Sequence, residues 1–188
     1  MAIVKLTTPL KTEDTEKLKI GDKVLISGEI YTARDLAHKQ LLELIDAGEK
    51  APFNIEGSVI YYVGPAPSKP GQVINSCGPT TSYRMDPYTG RMLELGAKAF
   101  IGKGNRSPEV IEDLKKYKAV YLAATGGAAA LIAKAVKGNE TIAFEELGAE
   151  AIRRLKVEDF PATVVNDING NDLYQEGMQQ YARGEYAK

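Results

Sequence analysis

Residues 78–86 of this chain, Gly-Pro-Thr-Thr-Ser-Tyr-Arg-Met-Asp, combine side-chain types that bind small anions. The stretch does not follow the hydrophobic period of a buried strand or an amphipathic helix, so a role in core packing explains it poorly. Its arginine has a planar fork that can bind a carboxylate or phosphate bidentately, and its hydroxyls can both donate and accept hydrogen bonds. The stretch therefore predicts either an oxyanion site or an exposed loop of ordinary turn residues.

Three cations of the chain each follow a predicted strand: Arg34, Arg84 and Lys103. In open α/β sheets, ligands bind beyond the carboxyl ends of the strands, so these cations could share one pocket with Thr80. Convergent cations of this kind would suit a dicarboxylate or a phosphate. The alternative is that they are separate solvated side chains among the 24 lysines and arginines of the chain.

Two residue types with reactive side chains occur only once. His38 is predicted one helical turn after Arg34, where it could orient a substrate, act as an acid or base, or be structural. Cys77 borders the polar stretch but has no neighbour that would obviously lower its pKa, so a buried and inert thiol is the favoured interpretation.

Two glycine-containing turns resemble phosphate sites to different degrees. Residues 96–103 resemble a phosphate-binding loop only superficially, because the spacing is wrong and Gly104 stands where a magnesium-binding hydroxyl would be needed. Residues 125–127 precede a predicted Ala-rich helix, whose N-terminus could bind an anion; close packing of the turn against the sheet is at least as plausible.

The elements that would position these residues alternate between strands and helices, which predicts an α/β fold. The first half is richer in strands than a doubly wound fold requires, which indicates an added β layer. The relevant predictions are a strand over residues 23–31 with a bulge at Gly28, a helix capped by Thr32, a helix beginning at Ser107, a short helix over residues 149–155 and a strand over residues 160–167.

Composition excludes several classes of protein. With 188 residues, 44% hydrophobic and 26% charged, the chain suits one globular domain. A formal net charge of −1 provides no basic field for nucleic acid, and no apolar run approaches the length of a membrane span. No signal peptide is evident, so a cytoplasmic location is expected. One cysteine allows no intramolecular disulfide and cannot by itself supply the thiolates of an iron–sulfur cluster.

Several ordered motifs together resemble the beta subunit of class I fumarate hydratases and L-tartrate dehydratases, equivalent to the C-terminal domain of the single-chain enzymes. The resemblance covers roughly residues 1–175. The motifs are Thr-Ala-Arg-Asp at 32–35 with Ala37-His38, Tyr-Val-Gly-Pro at 62–65, residues 78–86, Ile-Gly-Lys-Gly at 101–104, residues 124–129, and Val-Glu-Asp-Phe-Pro-Ala at 157–162.

The resemblance implies a three-layer β/β/α swivelling domain spanning residues 1–175, followed by a polar tail at 176–188. It also implies an enzyme that adds or removes water across a carbon–carbon double bond of a dicarboxylate. A [4Fe–4S] cluster would be bound by a separate alpha subunit, which makes the expected assembly a hetero-oligomer, with dimerised alpha–beta units as one arrangement. No nucleic acid or membrane partner is expected.

By motif, Arg34, Arg84 and Lys103 resemble the family's ligands for the substrate carboxylates, and Thr80 resembles the threonine that transfers the C3 proton. A threonine hydroxyl is a poor base unaided, so it would need a carboxylate partner, which the resemblance places in the alpha subunit. His38, Thr81 and Asp86 are expected to contact these site residues and hold them in place without binding the substrate themselves. The resemblance implies no metal or cofactor ligand in this chain.

Two positions depart from the family pattern. Gln40 stands where a basic residue is often expected, and Tyr83 stands where glycine is common, so Tyr83 could narrow the pocket and alter substrate choice. Hydration of fumarate to L-malate is the first expectation. Dehydration of L(+)-tartrate to oxaloacetate and a stand-alone dicarboxylate-binding domain are the alternatives.

Overall fold

In the computed structural model, which describes residues 3–183, parallel strands form the layer that carries the site. Strands β2 (Lys23–Thr32), β3 (Val59–Tyr61), β4 (Ala99–Gly102) and β5 (Val120–Ala123) pair in this order. Strands β3, β4 and β5 are short and rich in β-branched and aromatic residues, as expected for strands that are buried on both faces.

A second β layer packs on this sheet. It consists of β1 (Ile3–Thr7), the first part of β2, β6 (Val136–Ala143) and the long β7 (Ile152–Asn166). Strand β7 runs antiparallel to β2, β5 and β6. Because β2 and β5 are the outer strands of the parallel set, their pairing with β7 closes that set. The predicted bulge is confirmed, since the β2–β7 register shifts between Ile26 and Gly28.

Helices cover the other face of the parallel sheet. The principal ones are α2 (Asp35–Asp46), α3 (Asp86–Glu94) and α4 (Pro108–Lys116). The remaining helices are α1 (Thr12–Thr15), α5 (Ala129–Ala135) and α6 (Leu173–Tyr181), with 3-10 segments at Ser82–Met85, Gly126–Ala128 and Glu145–Glu150. Among residues 3–183, no helix is long and apolar enough to cross a membrane.

Period-two alternation along the strands divides the core into two clusters. Val59 and Tyr61 of β3 point into the cluster between the two β layers, whereas Ile60 and the following Tyr62 point into the cluster beneath the helices. Strands β4 and β5 alternate in the same way. The predicted α/β class with an added β layer is confirmed as a β/β/α arrangement.

Two local predictions were wrong. The predicted helix over residues 149–155 is not formed: a 3-10 segment ends at Glu150, and β7 begins at Ile152, where pairing with β2 and β6 overrides the helix propensity. Thr32 does not cap α2, because its hydroxyl donates to the Ala151 carbonyl and accepts from the Arg153 N–H. By contrast, α4 begins as predicted, with the Ser107 hydroxyl accepting from the Val110 N–H.

The expected boundary at residue 175 falls inside α6, which continues to Tyr181. Residues 184–188 of the expected tail lie outside the described residues.

Candidate active site

Arg34 lies immediately before α2 and is held by two carboxylates. Its Nη2 is 3.8 Å from Asp35 Oδ2 and 3.3 Å from Glu150 Oε1. Glu150 also accepts a hydrogen bond from the Leu36 N–H at the start of α2, at 3.3 Å, so it takes the capping role expected of Thr32. A Cβ on Gly64 would lie 2.8 Å from Arg34 Nη1, which means that the glycine allows the guanidinium to pack against this loop.

Thr80 and Arg84 form the second part of the site. The Thr80 N–H donates to the Tyr62 carbonyl at 2.8 Å, which anchors the loop to the end of β3. Arg84 Nη2 donates to Thr80 Oγ1 at 2.8 Å and lies 3.6 Å from Asp35 Oδ2. Asp35 therefore stands between the guanidinium groups of Arg34 and Arg84.

Lys103 joins this loop through its backbone. Its N–H donates to Ser82 Oγ at 3.1 Å and to the Thr80 carbonyl at 3.3 Å, while its carbonyl accepts from the Ser82 N–H at 2.9 Å. Thr81 forms an isolated parallel bridge with Lys103. The Lys103 side chain is exposed. The structure thus places all four of the predicted substrate-binding and catalytic residues in adjoining segments.

A buried ion pair that the sequence pattern does not predict lies under the same loop. Arg106, whose side chain is 0% exposed, donates from Nε to Asp86 Oδ1 at 2.7 Å and from Nη2 to Thr89 Oγ1 at 2.5 Å. The other carboxylate oxygen of Asp86 accepts from the Ser107 N–H at 2.8 Å. Asp86 therefore ties α3 to the start of α4, and both of its oxygens are occupied by this chain.

Two tyrosines enclose the Arg106 guanidinium, whose central carbon is 5.4 Å from the Tyr62 ring centre and 5.0 Å from that of Tyr121. The Tyr121 hydroxyl lies 2.9 Å from Ser82 Oγ and 3.0 Å from the Gly104 carbonyl oxygen, and these two acceptors share its single proton. Burial raises the pKa of both tyrosines, which keeps their hydroxyls neutral. Nothing in the pattern around Arg106 distinguishes it from a surface arginine, so only the packing identifies it.

His38 belongs to this buried layer. Its side chain is 0% exposed, Nδ1 is 2.9 Å from the Arg34 carbonyl oxygen to which it donates in the neutral form, and the ring stacks on Tyr88. Burial lowers the pKa of His38 to about 4, with a smaller opposing effect from the Arg34 carbonyl and a further lowering by the Arg106 charge. His38 is therefore neutral at pH 7 and supports the backbone of Arg34 from behind.

Cys77 is buried, and burial raises the pKa of its thiol to about 11, which disfavours the reactive thiolate. Within residues 3–183, no group of three or more histidine, cysteine, aspartate and glutamate side chains is arranged to hold a metal. The donor set of the described residues does not fit an iron–sulfur cluster.

Tyr83 does not take part in the contacts between Arg34, Thr80 and Arg84. Its side chain is 63% exposed and lines a separate cleft of about 880 Å³ between α3 and α4. The turn at residues 125–127 leads through a 3-10 segment into α5, whose Ile132 and Ala135 are buried in the core. Thr125 and Gly127 themselves are exposed, and a Cβ on Gly127 would meet nothing within 4 Å, so these two residues do not pack closely against the sheet.

Comparisons with known proteins identify relatives of this chain. The fumarase C-terminus family matches residues 1–177. The putative L(+)-tartrate dehydratase subunit beta of Methanocaldococcus jannaschii is 42% identical over 173 residues, covering 89% of each chain. Fumarate hydratase 2 of Leishmania major is 42% identical over 161 residues, or 85% of this chain and 28% of that protein. The anaerobic class I fumarate hydratase of Escherichia coli is 40% identical over 177 residues, or 92% of this chain and 32% of that protein.

This chain therefore corresponds to less than a third of the length of these two fumarate hydratases but to most of the tartrate dehydratase beta subunit. Since the family match extends over nearly all of its residues, the protein belongs to the fumarase C-terminus family.

Proposed function

We propose that this chain is the beta subunit of a hydro-lyase that reversibly hydrates fumarate to L-malate. The observation that carries the proposal is that Arg34 and Arg84 both lie at ion-pair distance from Asp35 and that Arg84 donates to Thr80, with Lys103 attached to the same loop. Arginine forks suit carboxylates, and a dicarboxylate offers two of them. The hydro-lyase names of the relatives support the class of reaction.

In the proposed reaction, the cationic residues bind the substrate carboxylates and Thr80 transfers the proton at C3. The hydrogen bond from Arg84 Nη2 to Thr80 Oγ1 places a positive charge beside the hydroxyl oxygen. That charge favours any transient negative charge on the oxygen, although a threonine still requires a carboxylate to accept its proton. We assign that carboxylate to the alpha subunit.

The relatives that are class I fumarate hydratases suggest an iron–sulfur enzyme. Because the described residues of this chain do not fit a cluster, we assign the [4Fe–4S] group to the alpha subunit and derive no step through it. The alpha subunit would correspond to the part of the longer fumarate hydratases that this chain does not cover. We further propose that residues 1–175 form one domain, with α6 continuing past this boundary to Tyr181. We also propose that alpha–beta units dimerise and that the assembly is located in the cytoplasm.

A second candidate is the beta subunit of an L(+)-tartrate dehydratase, which would form oxaloacetate. It is favoured by the relative of that name in M. jannaschii, because this chain covers 89% of its length. Both candidates use a four-carbon dicarboxylate and the same cationic site.

Co-expression with a candidate alpha subunit, followed by anaerobic assays on fumarate and L(+)-tartrate, tests the proposal. We expect the isolated chain to be inactive and the complex to hydrate fumarate. Activity on tartrate alone would select the second candidate. Full activity of the isolated chain would contradict the proposal. Tight binding of a dicarboxylate by the isolated chain, together with a complex that contains the cluster but is inactive, would also contradict it and would favour a stand-alone binding domain.

Arg84→Ala in the same complex tests the site. We expect turnover to fall by a factor of at least about 100, because a ligand of the substrate carboxylate is removed. The unfolding free energy should change by no more than about 0.5 kcal/mol, because the side chain is 38% exposed. Arg91→Ala is the matched control, since Arg91 is 41% exposed and pairs with Glu94 and Asp46. Unfolding of the Arg84 variant would instead make Arg84 a structural residue.

A further inference from the structure

We propose that Asp35 is a positioning residue that holds Arg34 and Arg84 together as a pair while leaving their N–H donors available to a bound anion. The inference rests on the proposed function, because it concerns how the same site binds its dicarboxylate. Asp35 lies in the first turn of α2 and is flanked by the two arginines.

The distances show how Asp35 acts on the two guanidinium groups. Its Oδ2 lies 3.8 Å from Arg34 Nη2 and 3.6 Å from Arg84 Nη2. Charge-assisted hydrogen bonds between arginine and carboxylate are shorter, at about 2.7–2.9 Å. Asp35 Oδ2 is buried and has no hydrogen-bond partner within residues 3–183. The carboxylate thus attracts both cations without consuming their donors.

Removal of this charge would leave the two guanidiniums facing each other. Like charges in a partly buried site repel more strongly than in water, and Asp35 offsets that repulsion. Arg34 retains a second carboxylate, Glu150, at 3.3 Å. In the described part of the chain, Asp35 is the only carboxylate at ion-pair distance from Arg84. Arg84, which donates to Thr80, therefore depends on Asp35 for its placement.

An alternative role for Asp35 is that of an ordinary acid in the first turn of a helix, which would stabilise α2 through the helix dipole. That role predicts a loss of stability in an Asp35 variant and no specific effect on Thr80 or Arg84. The two roles are therefore separable by comparing kinetics, stability and local structure.

Asp35→Asn, Asp35→Glu and Glu43→Gln form the test set for the co-expressed complex. Glu43 is the matched control, because it lies on α2 and pairs only with the exposed Lys39, at 3.9 Å, among the described residues. We expect Asp35→Asn to lower kcat by about 10- to 100-fold through misplacement of the arginines. The change in KM should be smaller, because the more positive site attracts the anion while its misplaced arginines bind the carboxylates less well. Asp35→Glu should recover part of kcat, and Glu43→Gln should match the wild-type enzyme.

Nuclear magnetic resonance of the isolated chain provides a readout that does not depend on activity. We expect Asp35→Asn to shift the Thr80 amide and Arg84 side-chain signals, whereas Glu43→Gln leaves them in place. Unchanged signals, or a wild-type kcat in Asp35→Asn, would overturn the proposal. A kcat loss that only parallels a lower unfolding temperature would do the same. If the wild-type complex hydrates or dehydrates neither substrate, the proposed function fails, and the spectra alone decide the role of Asp35.

Discussion

At the residue scale, the exposed groups of the site are supported by neutral, buried ones. His38 donates to the carbonyl of Arg34, and the Tyr121 hydroxyl is hydrogen-bonded to Ser82 Oγ, which also accepts from the Lys103 N–H. Each of these contacts is made to a backbone group or to a hydroxyl, and none is made to the charged end of the Arg34 or Lys103 side chain. The support therefore fixes positions without neutralising the cations that an anionic substrate needs.

Burial of His38 makes stability depend on pH. Its pKa is about 4 in the folded chain and about 6.5 when exposed, so between these values the unfolded chain binds a proton that the folded chain does not. Stability from this group is fully present above pH 6.5 and is lost as pH falls toward 4. We expect His38→Phe to remove a pH dependence of up to about 3 kcal/mol from this window.

Urea unfolding of wild type and variant at several pH values measures this effect. Because His38 is the only histidine, the difference between the two curves isolates its contribution. Curves that run parallel from pH 4 to 6.5 would show that the folded chain binds the proton as readily as the unfolded one.

At the scale of elements, the site depends on the contact between the 3-10 helix Ser82–Met85 and the end of β4. Gly102 is the last residue of β4, and a Cβ there would lie 1.8 Å from Ser82 Oγ and 3.0 Å from the Tyr62 ring. The absence of a side chain at this position lets the helix approach the strand, and with it the loop that carries Thr80 and Arg84.

Gly102→Ala should consequently push the 3-10 helix away from β4. We expect a loss of about 1–3 kcal/mol in unfolding free energy, together with displaced Thr80 and Arg84. Gly177→Ala is the control, since a Cβ at that position in α6 meets nothing within 4 Å. Urea unfolding measures the stability, and equal values for Gly102→Ala and wild type would mean that the contact is relieved without strain.

At the scale of the whole molecule, β7 connects the two β layers. It pairs with β2, β5 and β6, and most of its inward side chains are buried, including Phe160 and Val164. Helix α6, by contrast, buries none of its described residues. The strand is thus the part of the molecule that global unfolding must disrupt.

Amide hydrogen exchange should reflect this difference. We expect the amides of β7 and the paired part of β2 to be the slowest to exchange and to open only with global unfolding, whereas α6 exchanges through local opening. Mass spectrometry of peptides from residues 152–166 and 173–181 measures both. Faster exchange in β7 than in α6 would contradict the assignment of β7 as the stable centre.

Much of the local structure follows from neighbouring residues. Helix α4 begins at Pro108 behind Ser107, and the bulge lies at Gly28, because capping and bulge formation depend on residue types within a few positions. The polar stretch around Thr80 and Arg84 is also identifiable, because its residues follow neither a helical nor a strand period. Arg34 and Lys103 are identifiable as candidate binding residues because each follows a predicted strand.

The sequence by itself thus determined the α/β class, the second β layer and the residues that could bind a dicarboxylate, because these depend on local pattern and motif. Tertiary structure alone decided that residues 152–155 are strand, that Glu150 caps α2, that Arg106 is buried, and that Asp35 lies between two arginines. These features join residues far apart in the chain, such as Leu36 and Glu150 at a separation of 114 positions. The physical reason is that burial and charge pairing depend on distance in space, which the local sequence pattern does not specify.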